Sequence, residues 1–133
     1  MSIWGRRVST EPVAIIAVFF IVAMGVAHVI SGANAREVTL VARDMAFYLD
    51  GDTGEANPVI EARAGETLRV VLKNLDRGMT HDFAVPSADA ATTVLKWKEE
   101  AEITFEVPSK PGVYEYVCRP HVLMMKGTIK VSR

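Results

Sequence analysis

The chain is 133 residues long, enough for one domain of ordinary size. Fifteen Lys and Arg stand against sixteen Asp and Glu, a formal net charge of -1, so no basic face of the kind that binds nucleic acid in bulk is implied. Half of the residues are apolar, a high share for a short soluble chain, and the excess is concentrated near the start.

Val13 to Ile30 is an 18-residue run of apolar residues and Gly, interrupted only by His28. Wound as a helix it spans about 27 Å, close to the roughly 30 Å hydrocarbon core of a bilayer. Arg6 and Arg7 precede it, and basic residues prefer the cytoplasmic side. Residues 13–30 are therefore expected to be a single-pass anchor in the cell membrane, with the rest of the chain on the periplasmic, extracytoplasmic face. Ala33-Asn34-Ala35 also offers a small-x-small cleavage site. A cleaved signal, freeing a secreted periplasmic domain near Ala35, is the alternative. A signal core of about 7–15 residues is shorter than this run, which favours the anchor. The expected organisation is an anchor or signal over residues 1–35 and one outward domain over residues 36–133.

Past residue 35 the periodicity is that of strands. Val38 to Val41, Met45 to Leu49 and Val59-Ile60 are short candidates, and Leu68, Val70 and Leu72 alternate with Arg69 and Lys73. Ala88 to Lys98 reads as irregular or helical. Glu102 to Val107 alternates polar and apolar, and Tyr114 to Val117 and Thr128 to Val131 close the chain. Turn chemistry separates these runs at residues 50–54, 64–66, 74–78 and 108–112, all of which contain Gly. About seven short strands in so small a domain predict an all-β fold. The expected architecture is an antiparallel Greek-key β-sandwich, preceded by one N-terminal transmembrane or signal helix.

The outward domain contains one cysteine, Cys118, and two histidines, His81 and His121. A single Cys in an oxidising compartment has no intramolecular disulfide partner, so its presence needs another reason. Cys118-Arg119-Pro120-His121 places a thiolate and an imidazole on one tight loop, stiffened by Pro120. Met124 and Met125 follow three and four positions after His121, and His81 lies 37 residues upstream of Cys118. Taken singly, a lone Cys is usually a small buried hydrophobe and a Met a core filler. As an ordered set, two imidazoles, one thiolate and a long thioether contact are the ligands of a blue-copper electron-transfer site. Soft sulfur favours Cu(I) and imidazole tolerates Cu(II), so one scaffold suits both oxidation states.

The chain resembles the cupredoxins, the type 1 blue copper proteins, over nearly all of residues 37–132. The resemblance is carried by Ala64 to Asn74, His81-Asp82-Phe83, Phe105 to Pro108 and Pro111 to Cys118. Cys-x-Pro-His is similar to the copper loop of plastocyanin, pseudoazurin and amicyanin, and His-x3-Met-Lys-Gly-Thr to that of azurin. The resemblance implies one type 1 copper ion, with His81, Cys118 and His121 as equatorial ligands. Met125 is the implied axial ligand, since it stands two residues before the Gly that opens the last strand; Met124 is the alternative. Many family members have Asn after the first His ligand, where this chain has Asp82, which accepts hydrogen bonds but cannot donate.

The function expected from this set is single-electron transfer on the extracytoplasmic side of the membrane, with redox proteins such as cytochromes or a terminal oxidase as partners. Copper delivery to a membrane oxidase is the alternative, supported by the thioethers of Met79, Met124 and Met125. An enzyme is not expected. Multicopper oxidases and copper nitrite reductases need further copper centres, and the outward domain has too few imidazoles to build them. A structural zinc site normally takes four strong ligands, one more than this set provides.

Overall fold

A computed structural model describes residues 34–52 and 54–133; the 13–30 run lies outside the described residues. Among the described residues no helix is long and apolar enough to cross a membrane. They form an all-β sandwich of nine strands: β1 (Arg36–Arg43), β2 (Ala46–Leu49), β3 (Ile60–Arg63), β4 (Thr67–Asn74), β5 (Ala84–Val85), β6 (Ala90–Ala91), β7 (Glu100–Glu106), β8 (Gly112–Val117) and β9 (Lys126–Ser132). One sheet has the order β2-β1-β4-β7 and the other β3-β9-β8-β5-β6.

The alternation in the sequence sets the faces. Leu68, Val70 and Leu72 are fully buried on β4, and they join Leu40, Phe47, Phe83, Phe105, Tyr116 and Ile129 in a single core. Val71, which breaks the alternation, is buried as well, on the other face of the sheet. β7 lies at a sheet edge and carries Glu100, Glu102 and Glu106 at exposed positions, where charge discourages pairing with another chain. Phe83 stacks on Tyr116 at 5.3 Å, and Phe47 meets Tyr116 edge-on at 5.5 Å.

One expectation needs correction. The sandwich is not purely antiparallel: β1 runs parallel to β4 from Arg36↔Leu68 to Ala42↔Asn74, and β3 runs parallel to β9. Parallel neighbours require a crossover, and here the opposite sheet supplies it. After the β1–β2 hairpin the chain crosses to the second sheet as β3 and returns as β4 beside β1. Period-two hydrophobicity records which face a residue occupies but not which way its neighbour runs. Of the two readings open for Ala88 to Lys98, irregular or helical, the irregular one holds. The segment contains β6 and an isolated bridge from Leu95 to His81, and it turns at Asp89 (φ 48°) and Lys98 (φ 66°), a geometry no continuous right-handed helix accepts.

These pairings bring distant loops together. Ala84 of β5 pairs with Val117 of β8, and Val117 also pairs with Lys126 of β9. The residues just before β5, just after β8 and just before β9 therefore meet at one end of the second sheet. Those residues are His81, Cys118 and Met125.

Candidate metal centre

His81 reaches this end on a loop pinned by an isolated bridge to Leu95. Its N–H donates to Leu95 O at 3.0 Å and its carbonyl accepts from Leu95 N at 2.7 Å. Buried Asn74 organises the approach: its side-chain amide donates to Met79 O at 2.9 Å and to Leu95 O at 3.0 Å. The second loop closes on itself. Cys118 N–H donates to Met125 O at 2.9 Å, His121 N–H to Cys118 O at 3.0 Å and Met125 N–H to His121 O at 2.9 Å. Pro120 sits within the 3-10 turn Arg119–His121, where its fixed φ is compatible with the turn.

The result is a triangle of donors. Cys118 Sγ lies 3.6 Å from His81 Nδ1 and 3.7 Å from His121 Nδ1, and the three ligand atoms fall within 4.8 Å of one another. Bonds of about 2.0 Å to nitrogen and about 2.3 Å to sulfur, typical of zinc with these donors, place N and S about 3.7 Å apart when the angle between them is 120°. The two observed N–S distances would suit a single ion held by all three donors. Cys118 and His81 are fully buried and His121 is half-buried. Among the described residues this is the one group of His, Cys and acidic side chains with metal-ligand spacing.

The two methionines part company. Met125 is fully buried, while Met124 is 62 % exposed. Leu123 and Val122 are exposed too, so the segment between His121 and Met125 presents its apolar side chains to solvent rather than to the core.

Asp82 holds the two ligand loops together, by a route its type did not announce. Its side chain is wholly buried, and it accepts the Arg119 backbone N–H at 2.7 Å and the Arg119 Nε–H at 2.5 Å. The donor that Asp82 lacks is supplied by Arg119, whose Nη2 also donates to Thr92 O at 3.2 Å. The chain thus replaces a neutral tie by a charged pair. Removing the Arg119 side chain would leave the buried Asp82 carboxylate without its counter-charge.

Burial pushes the Cys118 thiol above its ordinary value, and the charge of Asp82 pushes the same way, against the backbone N–H groups of Asp82 and His121. A bound metal cation reverses this, because a coordinating thiol is deprotonated outright. Asp76 was not legible as a functional residue. Its Oδ2 lies 3.0 Å from His81 Nε2 and accepts the Met45 N–H at 3.1 Å. Partial burial opposes its charge, but the Met45 N–H and the His81 ring hold the Asp76 carboxyl below its ordinary value. In sequence Asp76 is one more polar residue in a turn.

A family model described as a cupredoxin-like domain matches residues 13–131. The chain belongs to this family. Several solved structures superpose on it at low identity. Reduced rusticyanin matches with a TM-score of 0.59 at 23% identity, over 74% of this chain and 80% of that one. Auracyanin B matches with a TM-score of 0.61 at 24% identity, over 75% of this chain and 91% of its own. A copper-containing nitrite reductase from Thermus scotoductus SA-01 matches with a TM-score of 0.57 at 24% identity, over 74% of this chain but only 28% of the reductase. No curated protein sequence matches the chain. The fold, the donor set and the spacing together suit this cupredoxin to one type 1 copper ion.

Proposed function

We propose that this cupredoxin is a single-electron carrier on the extracytoplasmic face of a membrane, tethered through residues 13–30, which exchanges electrons with redox proteins such as cytochromes or a terminal oxidase. The observation that carries the reading is a donor triangle fixed by protein hydrogen bonds alone: His81 to Leu95, Cys118 to Met125 and His121 to Cys118. Copper bound there supplies a one-electron Cu(II)/Cu(I) couple. The protein's part is to keep its donors from moving when the charge changes, and each donor loop is tied by backbone hydrogen bonds. A site this constrained reorganises little on oxidation or reduction.

His121 is the half-buried ligand, and Val122, Leu123 and Met124 surround its loop with exposed apolar surface. That is the natural contact for a short-lived partner, which needs only a modest interface. The tether would confine search to two dimensions and raise the effective concentration near membrane partners. Membrane fractionation of the full chain tests the tether. Removal of residues 13–30 should release the protein, and retention without them would refute it.

The carrier reading is tested by the optical spectrum and voltammetry of the copper-loaded full chain. An intense visible band and reversible one-electron cycling are expected. A courier would instead hold Cu(I), transfer it to an acceptor and lack the colour; the exposed thioethers of Met79 and Met124 support that second reading.

In this reading Met125 is the axial ligand, a role supported by its full burial against the exposure of Met124. Met125→Leu is expected to retain copper and raise the reduction potential, because a hydrocarbon in place of the thioether disfavours Cu(II). Met124→Leu should leave the potential nearly unchanged, since that side chain faces solvent. The reverse pattern would transfer the axial role to Met124.

A further inference from the structure

The two histidines of the triangle are not equivalent. His81 Nδ1 faces Cys118 Sγ, and its Nε2 lies 3.0 Å from the Asp76 carboxylate. His121 Nδ1 likewise faces Cys118, but its Nε2 has no hydrogen-bond partner among the described residues. The His81 ring is fully buried, and the Asp76 side chain is 18% exposed, so the pair is largely shielded from water.

Asp76 is itself held from several sides. Its N–H donates to Asn74 Oδ1 at 2.8 Å, within the same Asn74 network that fixes Met79 and Leu95. Its Oδ2 accepts the N–H of Met45, in the two-residue turn that joins β1 to β2. Asp44 (φ 50°) and Met45 (φ 59°) both occupy the left-handed region there, a conformation that suits a hairpin turn but disfavours a side chain as bulky as Met. Strained backbone persists where its surroundings over-determine it, and the hydrogen bond to Asp76 is one such constraint. One carboxylate oxygen thus ties a strained turn of the first sheet to a ligand ring of the second.

We propose that Asp76 is the positioning residue for His81: its carboxylate accepts the Nε2–H, leaves Nδ1 as a free lone pair aimed at the metal position, and biases the site toward Cu(II). The inference rests on the copper reading above and adds a device to it. An imidazole that donates to a carboxylate is fixed in tautomer and orientation and is a more basic ligand. The added negative charge favours the more positive oxidation state, so Asp76 lowers the reduction potential relative to the same site without it. His121, without such a partner, is the electronically weaker imidazole.

The test uses the full chain with copper alone as the probe, comparing wild type with Asp76→Asn. Asn has nearly the same shape and keeps a carbonyl oxygen for the hydrogen bond, but removes the charge. Outer-shell substitutions typically cost about 10–100-fold in metal affinity. Here Cu(II) affinity should fall at least tenfold more than Cu(I) affinity, measured by competition with chelators. A tenfold difference corresponds to a rise of about 59 mV in a one-electron potential, read by spectroelectrochemistry. Equal losses for both ions with an unchanged potential would make Asp76 a scaffold residue and overturn the proposal.

A second measurement needs no copper. Nitrogen-15 NMR of the metal-free wild-type chain should show His81 protonated at Nε2 with slow solvent exchange, and Asp76→Asn should speed that exchange or mix the tautomers. A metal-free His81 protonated at Nδ1 would overturn the proposal by itself. If Asp76→Asn does not fold, the comparison is repeated in a Met45→Gly background, where Asp-Gly suits the turn and relieves its strain. A wild type that takes up no copper would refute the carrier reading, while the tautomer measurement would still decide the role of Asp76.

Discussion

Replacing Cys118 by Ser is expected to abolish the intense visible absorption of the copper-loaded chain while leaving the fold in place. The absorption depends on charge transfer from the thiolate sulfur to the metal, and Cys118 is the chain's only cysteine. A serine hydroxyl is a harder donor that does not ionise near neutral pH, so it matches Cu(I) poorly and offers no comparable transition. The fold should survive because the change is nearly isosteric. The backbone bonds from Cys118 to Met125 and from His121 to Cys118 do not use the side chain. The new hydroxyl can bond one of the two facing imidazoles, which limits the cost of burying it to about 1–3 kcal/mol. Circular dichroism should stay near wild type as the colour disappears. Thermal melting gives a second reading. A ligand that binds only the native state at 100 times its dissociation constant stabilises by about 2.7 kcal/mol. That is on the order of 10 °C or more for a domain of about 100 residues. Copper should produce such a shift in the wild type and a much smaller one in Cys118→Ser. A variant that remains blue would remove the thiolate from the site.

Gly127→Ala is expected to be among the most destabilising single substitutions in the domain, although Ala normally suits a strand better than Gly. Gly127 on β9 stands directly across from Tyr116 on β8, and the Tyr116 ring lies over it. A Cβ at Gly127 would come closer than 3.0 Å to Oη, Cζ and Cε1 of Tyr116. The ring has nowhere to go: Tyr116 is fully buried, packs against Phe83 and Phe47, and donates its hydroxyl to Pro58 O at 2.6 Å. Burial pushes the Tyr116 phenol well up, so it remains protonated and keeps that donor. Overpacking costs about 1–3 kcal/mol, and displacing the buried hydroxyl from its acceptor about 1–3 kcal/mol more. The sum, around 3 kcal/mol or above, is a large part of the roughly 5–15 kcal/mol that holds a domain together. It should lower the melting temperature by on the order of 15 °C. Lys126→Ala, one residue away and exposed, should cost little. A Tyr116→Phe/Gly127→Ala double variant should recover part of the loss, because it removes one of the clashing atoms. Near-normal stability in Gly127→Ala would mean that Tyr116 does not lie over β9 as described. Gly127 also follows Met125 by two residues, so the same substitution should weaken copper binding.

The strands were largely legible because each has a buried and an exposed face, and alternation in side-chain polarity records that directly. Leu68 to Lys73 and Glu102 to Val107 are the clearest cases. β5 and β6 left no such record, since two residues cannot show a period. Their positions follow from neighbours: Ala84 is drawn to Val117 and Ala91 to Ala84. The direction of β1 against β4 was illegible for a different reason, because polarity along a strand reads the same from either end.

The amino-acid sequence by itself determined the chemistry of this protein. One sulfur and two imidazoles, with His121 three residues after Cys118, are properties of residue type and spacing, and no folding changes what those atoms can bind. Tertiary structure alone decided how the atoms are supported. It turned Met125 inward and Met124 outward, set Arg119 against Asp82, and brought the Asp76 carboxylate to His81 Nε2. The physical reason is that ligand identity is local and covalent. The groups that orient a ligand are instead chosen by which loops a sheet brings to the same end, through strand pairings between residues far apart in the chain.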